Sequence, residues 1–187
     1  QIVNEKQITT PSEILRLLNI GVYEALHQEK NGSLSDDGMD IALCSIDLKN
    51  NEVQYSGAKN PLYVITDDKI AVVKADIHEI GGRDMTSKIA DQIKKEFTNH
   101  TVPIKKGMSI YLFSDGFMDQ FGLPAETLVK AGGGNKKFGI QKFKDLLLNN
   151  HHLSMKKQKE IIVSAHTEWK GNVPQTDDIL VIGVNIL

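Results

Sequence analysis

Ser109-Ile110-Tyr111-Leu112-Phe113-Ser114-Asp115-Gly116-Phe117-Met118-Asp119-Gln120-Phe121-Gly122 is the stretch whose reading decides the fold. An apolar run, Ile110 to Phe113, stops abruptly on Ser114-Asp115-Gly116. A buried strand that ends on an acid and a glycine sets a carboxylate at a sheet edge, on a chain free to turn sharply. The chain closes on a second arrangement of the same kind, Thr176-Asp177-Asp178 followed by Ile179-Leu180-Val181-Ile182-Gly183-Val184. Carboxylates at the ends of apolar strands suit a hard divalent cation, which takes oxygen ligands.

Working outward, hairpins dominate the middle of the chain. Asp40 to Asp47 is apolar on both faces and reads as a central strand, and Lys49 to Glu52 as a turn. Val53 and Tyr55 alternate into Gly57, and Leu62–Ile65 and Ile70–Lys74 flank the turn Thr66-Asp67-Asp68-Lys69. Phe97 to Ile104 alternates like a strand. Consecutive hairpins mean antiparallel pairing, which argues against a doubly wound nucleotide-binding fold. Thr10-Pro11-Ser12-Glu13 predicts a helix start with Thr10 as N-cap and Glu13 closing a capping box, followed by an apolar stripe of Ile14, Leu18 and Val22 ending near His27. Phe143, Leu146 and Leu147 mark a second helix. Met155 to Trp169 marks a third, with Ile161, Ile162, Ala165 and Trp169 on one face. The segment between Gly116 and Asn135 reads as irregular, Asn31 to Gly38 as a polar loop, and Ser87 to Lys95 as loop with a short helix. The sum is an α+β fold.

Composition narrows the function. At 187 residues with 40% apolar and 25% charged, the chain has the make-up of one globular domain, and its net charge of −2 gives no case for nucleic acid. Arginine is scarce, Arg16 and Arg83 alone, so a metal is a better phosphate-handling device than a bidentate arginine clamp. The single cysteine, Cys44, lies in an apolar run and reads as a buried small hydrophobe; a reducing compartment fits. No apolar run spans a bilayer. Gly132-Gly133-Gly134-Asn135-Lys136-Lys137 lacks the Gly-Lys-Ser/Thr of a phosphate loop and reads as a flap. His151-His152 reads as solvated at a helix end rather than ligating, and Trp169 as core.

The ordered set of motifs resembles a known family. The strand into Ser114-Asp115-Gly116, then Lys137-Phe138-Gly139, two helices and Asp177-Asp178 before a last strand are similar to the SpoIIE domain, the bacterial branch of the metal-dependent type 2C-like serine/threonine protein phosphatases. Gly57-Ala58-Lys59-Asn60-Pro61 looks like the family's Ala-Gly-His-x-Pro-type turn with Lys59 where His is common, and Ile80-Gly81 like its Ile/Leu-Gly step. Asp37-Gly38-Met39-Asp40-Ile41-Ala42 is similar to a variant found behind sensor or repeat modules.

The resemblance implies an antiparallel β-sandwich flanked by helices and a site of two Mn²⁺ or Mg²⁺ ions. Metal-activated water would hydrolyse phosphoserine or phosphothreonine on a regulatory phosphoprotein, such as an anti-sigma-factor antagonist, under an upstream sensor or repeat domain. Carried over residue by residue, it implies Asp115 and Asp177 as metal ligands, Asp178 as a water or second-layer ligand, and Gly116 as the turn beside them. Asp40, Gly57 and Asn60 would lie near the site. The family also takes a bridging Asp from a Gly-Asp-x-x-Gly-His-Gly-type stretch ahead of the first helix, and residues 1–9 contain neither Asp nor Gly. The expectation is therefore one domain over residues 1–187, incomplete at its N-terminus, with N-terminal strands missing. Such a chain would be weakly active alone, cytoplasmic within a parent that could be membrane-tethered, and open to homodimerisation at an uncovered sheet edge. The competing expectation is a pseudophosphatase that binds its partner without chemistry.

Overall fold

The computed structural model describes residues 2–26, 37–82, 94–122 and 136–186. The expectations for Asn31 to Ser35, for Ser87 to Gln92 and for the Gly132–Asn135 flap lie outside the described residues. The chain divides into two compact units, residues 1–62 with 72–106, and residues 63–71 with 107–187. Every strand ladder among the described residues is antiparallel, as the hairpin spacing predicts.

The first unit holds helix α1 (Pro11–Ala25) and strands β1 (Gly38–Met39), β2 (Ile41–Asp47), β3 (Glu52–Ala58), β6 (Ile80–Gly81) and β7 (His100–Pro103). β2, β3 and β7 form a three-stranded sheet in that order, and β1 pairs with β6. Thr10 takes the extended N-cap conformation with Pro11 in the first turn, but its side chain makes no capping bond. Glu13 instead grips Arg16, accepting bonds of 2.8 and 2.6 Å, and this pairing holds its carboxyl below the usual carboxylate range. No capping box forms, because an i,i+3 arginine competes for the same oxygens.

The buried stripe of α1 also differs from the apolar one read in the sequence. It is Pro11, Leu15, Asn19 and Tyr23, with Leu18 and Val22 packing only in part against Leu15, Ala58, Ile80 and Phe97. Two polar residues sit inside because their polar atoms are satisfied there. Asn19 Oδ1 accepts the Gly81 N–H at 2.9 Å, and the Tyr23 hydroxyl donates to the Gly82 carbonyl. Buried polar groups are tolerated when hydrogen-bonded.

The second unit holds β4 (Leu62–Thr66) and β5 (Lys69–Val73), apart from their outermost residues. With them go β8 (Ser109–Phe113), a short helix α2 (Gly116–Asp119), β9 (Phe121–Gly122), β10 (Lys136–Lys137), α3 (Ile140–Asn150), α4 (Met155–Lys170) and β11 (Val181–Asn185). Its main sheet runs β11-β8-β4-β5, and β9 pairs with β10. The segment after Gly116, read as irregular, opens with α2 and β9; runs of four and two residues are too short to leave a periodic signal. Its core is aromatic. Tyr63 meets Phe113 at 4.6 Å, Phe143 meets Phe113 at 5.1 Å, and Phe117 meets Phe138 and Phe143 at 5.0 Å, mostly edge-on or tilted. Such offset geometries add to plain area burial.

α4 departs from expectation. Its most buried residue is Gln158, whose amide donates to the carbonyls of His151 and Leu153 and accepts the Tyr111 hydroxyl at 2.8 Å. Ile161, Ile162, Ala165 and Trp169 are only half-buried, and Trp169 carries the Lys142 ammonium 3.8 Å above its ring. Cys44 is partly buried, and burial pushes its thiol up to about 12, far from nucleophilic. No helix among the described residues is long and apolar enough to cross a membrane.

Candidate functional site

The C-terminal end of β8 and the loop before β11 are tied together by one hydroxyl. Ser114 Oγ accepts the Leu180 N–H at 2.9 Å and donates to the Asp178 carbonyl at 2.8 Å, while the Ser114 N–H donates to the Leu180 carbonyl at 3.0 Å. Gly116 follows, packed so closely on this loop that a Cβ there would overlap the Asp178 carbonyl oxygen and lie 3.3 Å from Asp177 Cβ. Asp115, Gly116, Asp177 and Asp178 therefore share one end of the β8–β11 pair. Ser114 was not singled out in the sequence; its only signal there is a hydroxyl between an apolar strand and an Asp-Gly.

Asp115 stands at the N-cap of α2 without capping it, and Asp115, Asp177 and Asp178 are all exposed. Asp177 Oδ1 accepts the Asp178 N–H at 2.7 Å, and the Asp177 carbonyl accepts the Gln175 amide at 2.7 Å, which fixes the loop. Among the described residues none of these three carboxylates has a cationic partner, whereas neighbouring Asp119 is paired with Lys137 at 2.7 Å. Buried Gln120 braces the far side, donating to the Pro174 carbonyl at 3.1 Å and accepting the Trp169 indole N–H on its own carbonyl at 3.0 Å. Carboxylates without counter-ions are hard oxygen donors for Mn²⁺ or Mg²⁺. Among the described residues, no group of three or more His, Cys, Asp or Glu is close enough to hold a metal alone.

Asp40, Gly57 and Asn60 gather in the first unit around the turn that ends β3. Lys59 takes a left-handed backbone (φ 60°), its N–H donating to the Asp76 carbonyl at 2.8 Å, and the Asp76 N–H donates to the Gly57 carbonyl at 2.9 Å. Gly57 is obligatory, since a Cβ would overlap the Tyr55 hydroxyl and lie 2.6 Å from the Asn60 carbonyl oxygen, which accepts that hydroxyl at 2.6 Å. The Lys59 ammonium reaches Glu79 at 2.5 Å and Asp40 at 3.5 Å. The hydrogen bond to Glu79, and the Asp40 charge behind it, raise the lysine's pKa. Glu79 and Asp76 were missed in the sequence; no local pattern marks a partner twenty residues away. His151, expected to be solvated at a helix end, is instead partly buried with Nε2 2.8 Å from Asp68.

A fold with these sheets and helices is that of protein phosphatase 2C domains. Superposition on the SiaA-PP2C domain of Pseudomonas aeruginosa gives a TM-score of 0.76 at 25% identity, covering 95% of this chain and 61% of that one. A bacterial serine phosphatase matches at a TM-score of 0.62 and 14% identity, over 94% of this chain and 65% of that one. RsbX in complex with magnesium matches at 0.57 and 11%, over 100% and 69%. The chain thus spans about three-fifths of the length of the SiaA domain. The family profile of Stage II sporulation protein E (SpoIIE) matches residues 3–187, and the chain belongs to that family. Comparison with curated proteins finds no match.

Proposed function

We propose that these residues form most of a metal-dependent protein serine/threonine phosphatase domain acting on a regulatory phosphoprotein. The carrying observation is the Gly116 contact, which packs the residue after Asp115 against the Asp177–Asp178 loop at one strand end. In this reading Asp115 and Asp177 hold Mn²⁺ or Mg²⁺, Asp178 orients water, and Ser114 fixes the distance between the two acid-bearing segments. A divalent cation supplies a lowered water pKa and neutralises phosphoryl charge. The nucleophile is water, so no cysteine is needed, consistent with the inert environment of Cys44. The magnesium named with RsbX and the serine phosphatase activity named for a second match support this class. A further carboxylate from outside these 187 residues completes the ligand set, so the isolated chain binds metal weakly and turns over little. Its setting is cytoplasmic, within a longer signalling protein.

A second reading is favoured by one observation, the lack of three clustered ligands among the described residues: a pseudophosphatase that engages the same phosphoprotein without hydrolysis. Titration with Mn²⁺ by calorimetry, on this chain and on Asp115→Asn, separates the two. Binding that weakens at least about tenfold in the variant, as affinity tracks ligand charge, supports the metal site. No binding in either, together with no phosphate release from a phosphoserine peptide by the full protein, supports the pseudoenzyme.

A further inference from the structure

One cation is built into the acid-lined end of β8. Lys137, on β10, pairs with Asp119 of α2 at 2.7 Å. Asp119 stands four residues after Asp115, and its N–H donates to the Asp115 carbonyl at 3.0 Å. Residues spaced i,i+4 share one helix face, about 5–6 Å apart at Cβ. Lys137 is thereby held one helical turn from Asp115. Among the described residues no other ammonium or guanidinium pairs with an acid of this strand end.

The backbone, rather than the ion pair, puts this lysine in place. β10 pairs with β9, Lys137 opposite Phe121. Phe138 N–H donates to the Gln120 carbonyl at 2.9 Å and Gly139 N–H to the Met118 carbonyl at 2.8 Å, so residues 137–139 lie along the α2–β9 segment. Phe138 packs into the core against Phe117 and Trp169, at ring distances of 5.0 and 5.4 Å. Side chains alternate across a strand, so Phe138 inward sets Lys137 outward. An exposed ion pair adds little to stability, which leaves the pairing with Asp119 to aim the ammonium rather than to secure the fold. Lys137 is half-exposed. An ammonium has three donors; Asp119 takes one and leaves two for a ligand.

The charge balance says what that ligand is. Asp115, Asp177 and Asp178 are exposed carboxylates without a cationic partner among the described residues. A phosphoserine brings close to two more negative charges. Arg16 is taken up by Glu13, and a lysine, as a point charge, is the other side chain suited to phosphate. We propose that Lys137 binds the phosphoryl group of the phosphoprotein, its ammonium aimed by Asp119, and so sets the preference for the phosphorylated over the unphosphorylated partner. The inference rests on the reading that the β8 end receives a phosphoprotein; it requires the phosphate to bind there, not to be hydrolysed.

The test is a peptide carrying a phosphonate analogue of phosphoserine, which is not hydrolysed, titrated into the full-length protein with Mn²⁺ present and followed by fluorescence anisotropy. Lys137→Met is expected to weaken binding about tenfold or more, as loss of a hydrogen bond to a charged group does. Lys137→Arg, which keeps the charge, is expected to restore it to within about threefold. Lys156→Met, which removes the same charge from α4, is expected to bind as the parent does. With a phosphoserine peptide, KM is expected to rise in Lys137→Met while kcat changes less than about threefold, the sign of a binding contact rather than of a damaged fold. The proposal is overturned by parental peptide affinity in Lys137→Met, by an equal loss in Lys156→Met, or by an equal loss for the unphosphorylated peptide. It is also overturned if the parent does not bind the phosphonate peptide, or if Lys137→Met tightens Mn²⁺ binding with peptide affinity unmoved, which would make Lys137 a counter-ion of Asp119 alone. A protein that binds the peptide through Lys137 yet releases no phosphate sinks the phosphatase reading and leaves this inference standing.

Discussion

Two strand ends in this molecule are built alike and charged differently. At the end of β8, Gly116 is pressed against the Asp177–Asp178 loop, and three carboxylates stand without a cation among the described residues. At the end of β3, Gly57 is pressed against Tyr55 and Asn60, and two carboxylates, Asp40 and Glu79, already share the Lys59 ammonium. Close glycine packing is thus a device for setting a turn, not a mark of a metal site. What separates the two is whether the chain supplies its own counter-charge. A divalent cation has more to gain at the first, where no lysine competes for the carboxylate oxygens.

The comparison breaks most severely at the glycines. Gly116→Val forces a side chain into the Asp178 backbone; a loss of about 2–3 kcal/mol is expected, together with loss of Mn²⁺ binding, read by chemical denaturation and calorimetry on one sample. Retained affinity at unchanged stability would mean that Gly116 does not hold the two acid segments together. Ser114→Ala removes a hydroxyl that both accepts and donates within the same clamp, at an expected cost of about 1–2 kcal/mol and a weakened Mn²⁺ isotherm. An isotherm unmoved by this change would put Ser114 in the scaffold alone.

Lys59→Met sharpens the contrast. The ion pairs are about a third or more exposed, so the stability change is expected below about 1 kcal/mol, and Mn²⁺ binding at the Asp115 end is expected to persist. Loss of that binding would assign Lys59 to the metal site.

The smallest effect is in pH. Burial, and then the nearby Lys170 charge, lower the pKa of His166 below its ordinary value of 6.5. A folded-state pKa below the unfolded one means that neutral histidine is favoured in the native state. Its contribution is present above about pH 6.5 and is lost as pH falls through the lower folded value. Thermal midpoints are expected to drop on going from neutral to mildly acid buffer, and less so in His166→Phe. Parallel curves for the two proteins would remove His166 from the account.

Much of this was legible from residue order. The hairpin spacing gives antiparallel ladders because a two-residue turn allows no other pairing, and Thr66-Asp67-Asp68-Lys69 is found with both aspartates at positive φ. The end of β8 was legible because an apolar run cut off by Asp-Gly leaves few other conformations. Less legible were the partners. The first helix buries Asn19 and Tyr23 rather than its apolar stripe, a choice made by the Gly81–Gly82 backbone some sixty residues away. Lys59 finds Glu79, Glu13 finds Arg16 rather than its own helix end, and α4 hides Gln158 in place of its isoleucines.

By itself, then, the amino-acid order determined which of the longer segments become strand or helix and which acids stand at strand ends, since backbone preference and hydrophobic period act over a few residues. Only the tertiary structure decided which of those acids meet, which are neutralised by a lysine and which polar side chains can be buried. Those outcomes depend on distances between residues remote in the chain, and on whether each buried donor finds an acceptor there.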